Sequence, residues 1–436
     1  MKVQGGIRVR VRHRALAGWV SGAAALALAL AACGDDGGGN GGEGNGGGDL
    51  AGDLTVWIME PGNPEVQATL DGFGDAFEAE HAGVTVTIEY VPWPDAHTQL
   101  TTAVAGGQVP DLSEIGNTMT AEFAEAGAFA EVAAPEGAAF VEGLAQSSVV
   151  DGVNYGYPWY AGARALLYRT DVFDEAGVEV PQSWDELLEA GDTIAAEVDD
   201  IAPIHVAGAY QHMNQPLIWG AGGEIAAQEG AAWTPGFDTP QGHEALEFFQ
   251  TLWDKGWSPE GAVQWNSADV REAFANGQAA MMVGGGWDLR AILDSNPDLE
   301  GNVGTALMPE GPGGSRDVFA GGSHLAVFQE SDQQELATAF AEYLIAAEQA
   351  TAFADQIGFL PGTVEGVEAA VGGDELFGVF GEQFVEHSRA YPVAGWWGSL
   401  EGSGALPDEF QKLMLDDVTV EEAAANMDAA IQDAIG

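Results

Sequence analysis

An α/β fold is predicted for this chain, and three observations predict it. Early in the chain a strand pattern, a helix pattern and a second strand pattern follow one another within Leu54 to Val91. Helical and strand patterns then keep alternating to the last residue. No internal repeat and no second low-complexity segment interrupts them.

The N-terminal residues read as targeting, not fold. Lys2, Arg8, Arg10, Arg12 and Arg14 form a basic head without any acid, and Ala15 to Ala32 is almost wholly apolar. A basic head, an apolar middle and small terminal residues are the layout of a secretory signal, expected here as residues 1–32. A single membrane-spanning anchor is the competing reading, since the apolar run is nearly long enough. The stretch Leu30 to Cys33, LAAC, resembles the bacterial lipobox, in which the cysteine receives lipid and becomes the first mature residue. Cys33 is the only cysteine in the chain, so no intramolecular disulfide and no thiolate metal site can form. Residues 33–52 are expected to be a tether. Gly34 to Gly52 holds 11 glycines in 19 residues, and such a chain spans roughly 22–26 Å.

The folded body is expected from residue 53. Leu54 to Ile58, LTVWI, reads as a buried strand. After the breakers Pro61, Gly62, Asn63 and Pro64, the apolar stripe Val66, Leu70, Phe73 and Phe77 has helical spacing. Val84 to Val91 alternates with period two, placing Val84, Val86, Ile88 and Tyr90 on one face. Strand, helix and strand in that order imply a right-handed crossover and a parallel pair. A helix from Asp95 and a short strand in VPDLSEIG follow. Further helices are expected at Ser183 to Val198, Pro240 to Lys255, Ser267 to Asn276, Gln333 to Ala347 and Val420 to Ile435, with a strand at Gln278 to Gly285. Thr419 is the expected cap of the last helix, with acids in its first turn.

Charge excludes several partners. All 68 acids follow Cys33 but only 8 of the 13 bases do, so the mature chain is near −60. That field repels nucleic acid and anionic headgroups, and is read as a solvated acidic surface. No phosphate-binding G-x-x-x-x-G-K-[ST] occurs, and no G-x-S-x-G elbow. HEALE at His243 has Glu247 where a zinc helix needs its second histidine, and the seven mature histidines are scattered. No metal and no cofactor is expected. A carboxylate pair for glycoside hydrolysis stays open, because 68 acids make chance pairs inevitable.

The positive signal is aromatic. There are 13 tryptophans, several beside Gly, Pro or Asn at element ends: Trp93, Trp159 with Tyr160, Trp219, Trp287, and Trp396 with Trp397. Flat rings cover the C–H faces of sugars while nearby polar groups meet the hydroxyls. Trp57 and Trp184 are expected to be core residues.

Here the chain resembles a family: the extracellular solute-binding proteins of bacterial ABC sugar importers, of the maltose-binding type. LTVW before a helix, VPDLSEIGN, YGYPWYAGARALLYRTDVFDEAGV, PQSWDELL, AGGEI, AFANGQAAMMVGGGW, FAGGSHLAV and GFLP carry the likeness over nearly all of residues 53–436. The resemblance implies a two-lobe, periplasmic-binding-protein-like (type II) fold with the ligand in the interlobe cleft. Lobe one would be 53–160 plus 309–360, and lobe two 161–308 plus 361–436. It also implies site residues. Glu60 and Asn63 would meet sugar hydroxyls, as would Gly116, Asn117 and Thr118, and Trp93 belongs to the aromatic set. Where the maltose-type motif has an Asp-Arg pair this chain has Thr118-Met119. Where it has a glutamate at the hinge crossing this chain has Gly162, which leaves Tyr160 and Arg164 as candidates. Tyr210, His212, Asn214 and Gln215 fall in the family's lobe-two sugar loop. Trp287 matches a stacking tryptophan, Trp396 or Trp397 matches another, and Gly322 and Ser323 would add contacts.

The function implied is that of a monomeric receptor, not an enzyme, held outside the cell membrane by lipidated Cys33 alone. It would pass a di- or oligosaccharide to a permease whose ATPase is a separate subunit. The alternative is a secreted glycoside hydrolase. A peptide, polyamine or metal ligand would keep the receptor and change its cargo.

Overall fold

The computed structural model describes residues 50–61, 63–135 and 137–436. The expected signal segment, Cys33 and tether residues 33–49 lie outside the described residues.

Two main sheets carry the fold. The first has six strands in the order Leu360–Pro361, Tyr157–Gly162, Gly321–Val327, Leu112–Gly116, Gly52–Met59, Val84–Val91. Gly52–Met59 runs parallel to both of its neighbours, as the strand–helix–strand pattern predicts, and helix Pro64–Glu80 makes the crossover. Gly321–Val327 runs antiparallel to both of its own. Strand alternation separates two apolar layers. Leu54, Val56, Ile58 and Leu325 face one, Met59, Ile115 and Ala326 the other. Gly52, expected as the end of the tether, is the first strand residue, and its N–H donates to Gly83 O at 3.0 Å.

The second sheet has four strands in the order Val303–Ala306, Ala165–Arg169, Ala279–Gly284, Ala202–Ile204. Ala279–Gly284, an interior strand of this sheet, is buried at every position, and its sequence accordingly shows no alternation. This sheet anchors its own apolar core. The chain passes from the first sheet to the second through Ala163 and Arg164, returns between Ala306 and Gly321, and leaves again after Pro361.

Local signals fix the helices. The Asn63 side chain accepts from Glu65 N–H at 2.9 Å, and Pro64 occupies the first turn, where no N–H is needed. Thr419 and Glu422 form a reciprocal capping box on helix Val420–Ile435. Helices Trp184–Glu197, Pro240–Asp254 and Ser267–Ala275 stand where periodicity predicts them.

Three expectations change. The helix expected from Gln333 to Ala347 is Gln334–Ile345, and a second helix that was not expected, Ala347–Ile357, follows it, with Ala346 extended between them. Alanine favours helix, so only packing explains the break: the second helix turns Phe353 onto Trp159, rings 4.6 Å apart and 4° from parallel. The helix expected from Asp95 starts at Trp93. Trp57 is only half-buried, and its Nε1 donates to Glu89 Oε2 at 2.8 Å on the outer part of the sheet. Trp184 is buried as expected, stacked on Phe248.

Among the described residues, no helix is long and apolar enough to cross a membrane.

Candidate functional site

A cavity of about 1230 Å³ opens between the two sheets, lined from both. Loops leaving the carboxyl ends of strands supply much of the lining: Glu60 after Gly52–Met59, Asn117 and Thr118 after Leu112–Gly116, Trp287 after Ala279–Gly284. Crevices outside strand ends are where open α/β folds place ligands. The volume exceeds what a monosaccharide-sized guest fills.

Its walls are aromatic. Trp287, in the first turn of helix Gly286–Ser295, stacks on Phe359, ring centroids 4.5 Å apart and 13° from parallel. The Arg164 guanidinium carbon lies 5.3 Å from the Trp287 ring centre. Gly162 makes this packing possible, since a Cβ there would fall 2.2 Å from Trp287 Cζ3. Trp93, 43 % exposed, stands on the first-sheet side with its ring over Gly116. Phe319 and Phe353 complete the apolar surface.

The polar groups fall into two sets. On one side stands Arg164, 8 % exposed, with Nε donating to Tyr210 Oη at 3.0 Å and no ion pair among the described residues. Nearby Asp288 is committed to Arg271 at 3.1 Å and to Gly285 N–H at 3.0 Å. Burial and the Arg164 charge push the His212 imidazole down to about 3, so it is neutral. On the other side, burial raises the Glu401 carboxyl to about 7, against a hydrogen bond from Thr118. Glu401 Oε1 has no partner among the described residues. The helix that carries it, Gly395–Ser403, is tied across the cleft by Glu125 Oε1, which accepts from Gly395 N–H at 2.8 Å.

Of the residues singled out in the sequence, Glu60, Trp93, Gly116, Asn117, Thr118, Tyr160, Arg164, His212, Trp287, Gly322 and Ser323 line this cavity. Six others do not. Asn63 caps its helix. Tyr210 is buried behind Arg164, its hydroxyl donating to Val283 O. Asn214 donates to Ala207 O, and Gln215 is buried beside it. Trp397 is wholly buried against Tyr391, and Trp396 packs edge-on to Trp233. The glycines around this pair start a helix instead of a turn, and the residues it turns to the cavity are Gly398, Ser399, Glu401, Gly402 and Ser403.

Sequence reasoning missed Glu114, Phe353, Phe359 and Glu401. Glu114 is 1 % exposed under the cavity floor and bonded to three of its lining residues. An acid between Ser113 and Ile115 inside a five-residue strand was the signal that could have found it.

Comparison with known proteins agrees with this architecture. Residues 61–351 match the bacterial extracellular solute-binding protein family. The diacetylchitobiose binding protein DasA of Streptomyces coelicolor is 30 % identical over 347 residues, 78 % of this chain and 80 % of that protein. An ABC transporter solute binding protein from Thermotoga lettingae, solved with α-D-tagatose, superposes with a TM-score of 0.73 at 27 % identity, over 88 % of this chain and all of that one. The sugar-binding protein MalE of Xanthomonas citri gives a TM-score of 0.78 at 25 % identity, over 88 % and 97 %. An α/β chain with two sheets and a cavity between them thus matches over most of its length, and it belongs to the bacterial extracellular solute-binding proteins.

Proposed function

We propose that this protein is the sugar receptor of a bacterial ABC importer. It binds a neutral di- or oligosaccharide between its two lobes and presents the closed form to a permease. The observation that carries this reading is the cavity itself: aromatic walls from Trp93 and Trp287, with a polar rim contributed by both sheets. Relatives and structural neighbours described as binding diacetylchitobiose or as sugar-binding support the ligand class.

The lobes of this reading are residues 53–160 with 309–360 and residues 161–308 with 361–436. The first crossing is moved to Ala163–Arg164, because strand Tyr157–Gly162 stays in the first sheet to its end, and such crossings serve as hinge segments. The binding set is the part of the sequence-derived set that lines the cavity. ATP hydrolysis belongs to a separate subunit, the receptor acts as a monomer, and it turns nothing over. Residues 1–32 are the signal peptide, and lipidated Cys33 with its glycine-rich leash holds the body outside the membrane. The glycoside hydrolase alternative finds no support, since the matched family consists of binding proteins.

Calorimetry over a panel of disaccharides (maltose, trehalose, cellobiose, diacetylchitobiose), with product analysis of the same samples, tests the reading. It expects one-to-one binding of at least one sugar and no smaller product. Release of monosaccharide would favour the hydrolase instead.

A further inference from the structure

Beneath the cavity floor Glu114 collects three donors from three different strands. Its Oε2 accepts from Met59 N–H at 2.8 Å. Its Oε1 accepts from the Tyr160 hydroxyl at 2.5 Å and the Ser323 hydroxyl at 2.6 Å. Met59, Tyr160 and Ser323 all line the cavity, whereas Glu114 does not. No basic side chain forms an ion pair with Glu114 among the described residues.

A hydroxyl has a single proton, and an ionised carboxylate can only accept. With both hydroxyl protons drawn to Glu114, neither Tyr160 nor Ser323 has one left for the cavity. We propose that Glu114 is a positioning residue that sets the polarity of the cleft floor: it makes Tyr160 and Ser323 acceptors only, so the bound ligand must present a hydrogen-bond donor there. A sugar hydroxyl qualifies. An ether oxygen, a carbonyl or a carboxylate at that place would meet lone pairs and leave buried groups unpaired. Arg164, which also lines the cavity, can only donate. A ligand with distinct donor and acceptor edges is thereby held in one orientation.

The proposal deepens the receptor reading and rests on it only for the identity of the donor. Burial raises the Glu114 carboxyl to about 6, against its three hydrogen bonds, so the test belongs well above that value. Neutron diffraction from perdeuterated crystals at pD 8 locates the two hydroxyl deuterons directly. Both are expected on the side of the Glu114–Tyr160–Ser323 trio, and either one pointing into the cavity overturns the proposal. Glu114→Gln, which offers an amide donor in place of one acceptor, is expected to turn one hydroxyl deuteron toward the cavity. Should that variant fail to fold, the wild-type map still decides.

Binding supplies a second readout. For the panel sugar that binds, replacing successive hydroxyls by fluorine removes the donor and keeps an acceptor. At one position this should weaken wild-type binding about 10- to 100-fold, and the loss should shrink in Glu114→Gln. A flat fluorine scan overturns the proposal. Committed deuterons in a protein that binds no sugar would leave the floor's polarity standing and overturn the receptor reading alone.

Discussion

Trp287 and Phe359 stack at 4.5 Å, and they come from different sheets. Trp287 follows a strand of the four-stranded sheet, and Phe359 precedes the edge strand of the six-stranded one. One aromatic pair therefore spans the crossing between the two halves and forms a wall of the cavity. Trp287→Ala should weaken sugar binding about tenfold or more while leaving the circular dichroism unchanged, because a ligand-contacting ring contributes about 1.4 kcal/mol or more. Calorimetry on both proteins checks this, and undiminished affinity would remove Trp287 from the site.

Gly162 should matter for the same reason. A methyl group at 162 would press on the Trp287 ring at 2.2 Å, and the strand that holds Gly162 is buried throughout. Gly162→Ala is expected to cost about 1–3 kcal/mol in urea denaturation. It should also weaken sugar binding by displacing the ring. A variant of wild-type stability and affinity would show that the packing there is loose.

Asn63 separates two roles that look alike in sequence. Its side chain caps helix Pro64–Glu80 and does not reach the cavity. Asn63→Ala should lower stability by about 1 kcal/mol and leave the sugar affinity of the folded protein unchanged. Denaturation midpoints and calorimetry on one preparation settle which role holds.

Glu401 gives the pH prediction. Burial raises its carboxyl from an ordinary 4.5 to about 7, so the folded chain holds this proton more tightly than the unfolded chain does. Its contribution to stability is complete below the unfolded value and is lost as pH rises through about 7. Glu401→Gln fixes the neutral state. The variant should therefore gain on the wild type at pH 8, by about 1–3 kcal/mol, and the gain should vanish near pH 4.5. His212 and His324, which burial pushes down to about 3 and about 4, act in the opposite sense in both proteins and cancel in the comparison. Thermal unfolding across pH reads the difference.

Anchoring has its own test. Cys33→Ser, expressed in a bacterial host, should move the protein from the membrane fraction to the medium with sugar binding intact. Continued membrane association would return the apolar run before Cys33 to the reading of a spanning anchor.

The fold was legible wherever periodicity and caps agree. Val66, Leu70, Phe73 and Phe77 announce their helix, Thr419 its cap, and the alternating Val84 to Val91 its strand and its parallel pairing. The second helix, Ala347–Ile357, was not legible, because nothing local separates it from the first, and its place is set by Phe353 stacking 4.6 Å from the Trp159 ring. The cavity was half-legible for a related reason. Trp93 and Trp287 could be singled out by residue type and neighbours, and Arg164 through the family resemblance at the crossing. Glu401 is one acid among 68 and only burial distinguishes it, while Glu114 is marked in sequence only by its place inside a short strand. Trp396 and Trp397 misled because their flanking glycines mark a turn in sequence, while in the fold they let a helix start against Glu125.

A crystal structure with the panel sugar that binds most tightly tests the account most directly. The account predicts sugar in the cavity between the sheets, a ring face against Trp93 or Trp287, and polar contacts from both halves, Arg164 among them. Sugar bound elsewhere, or touched by one half alone, would contradict it.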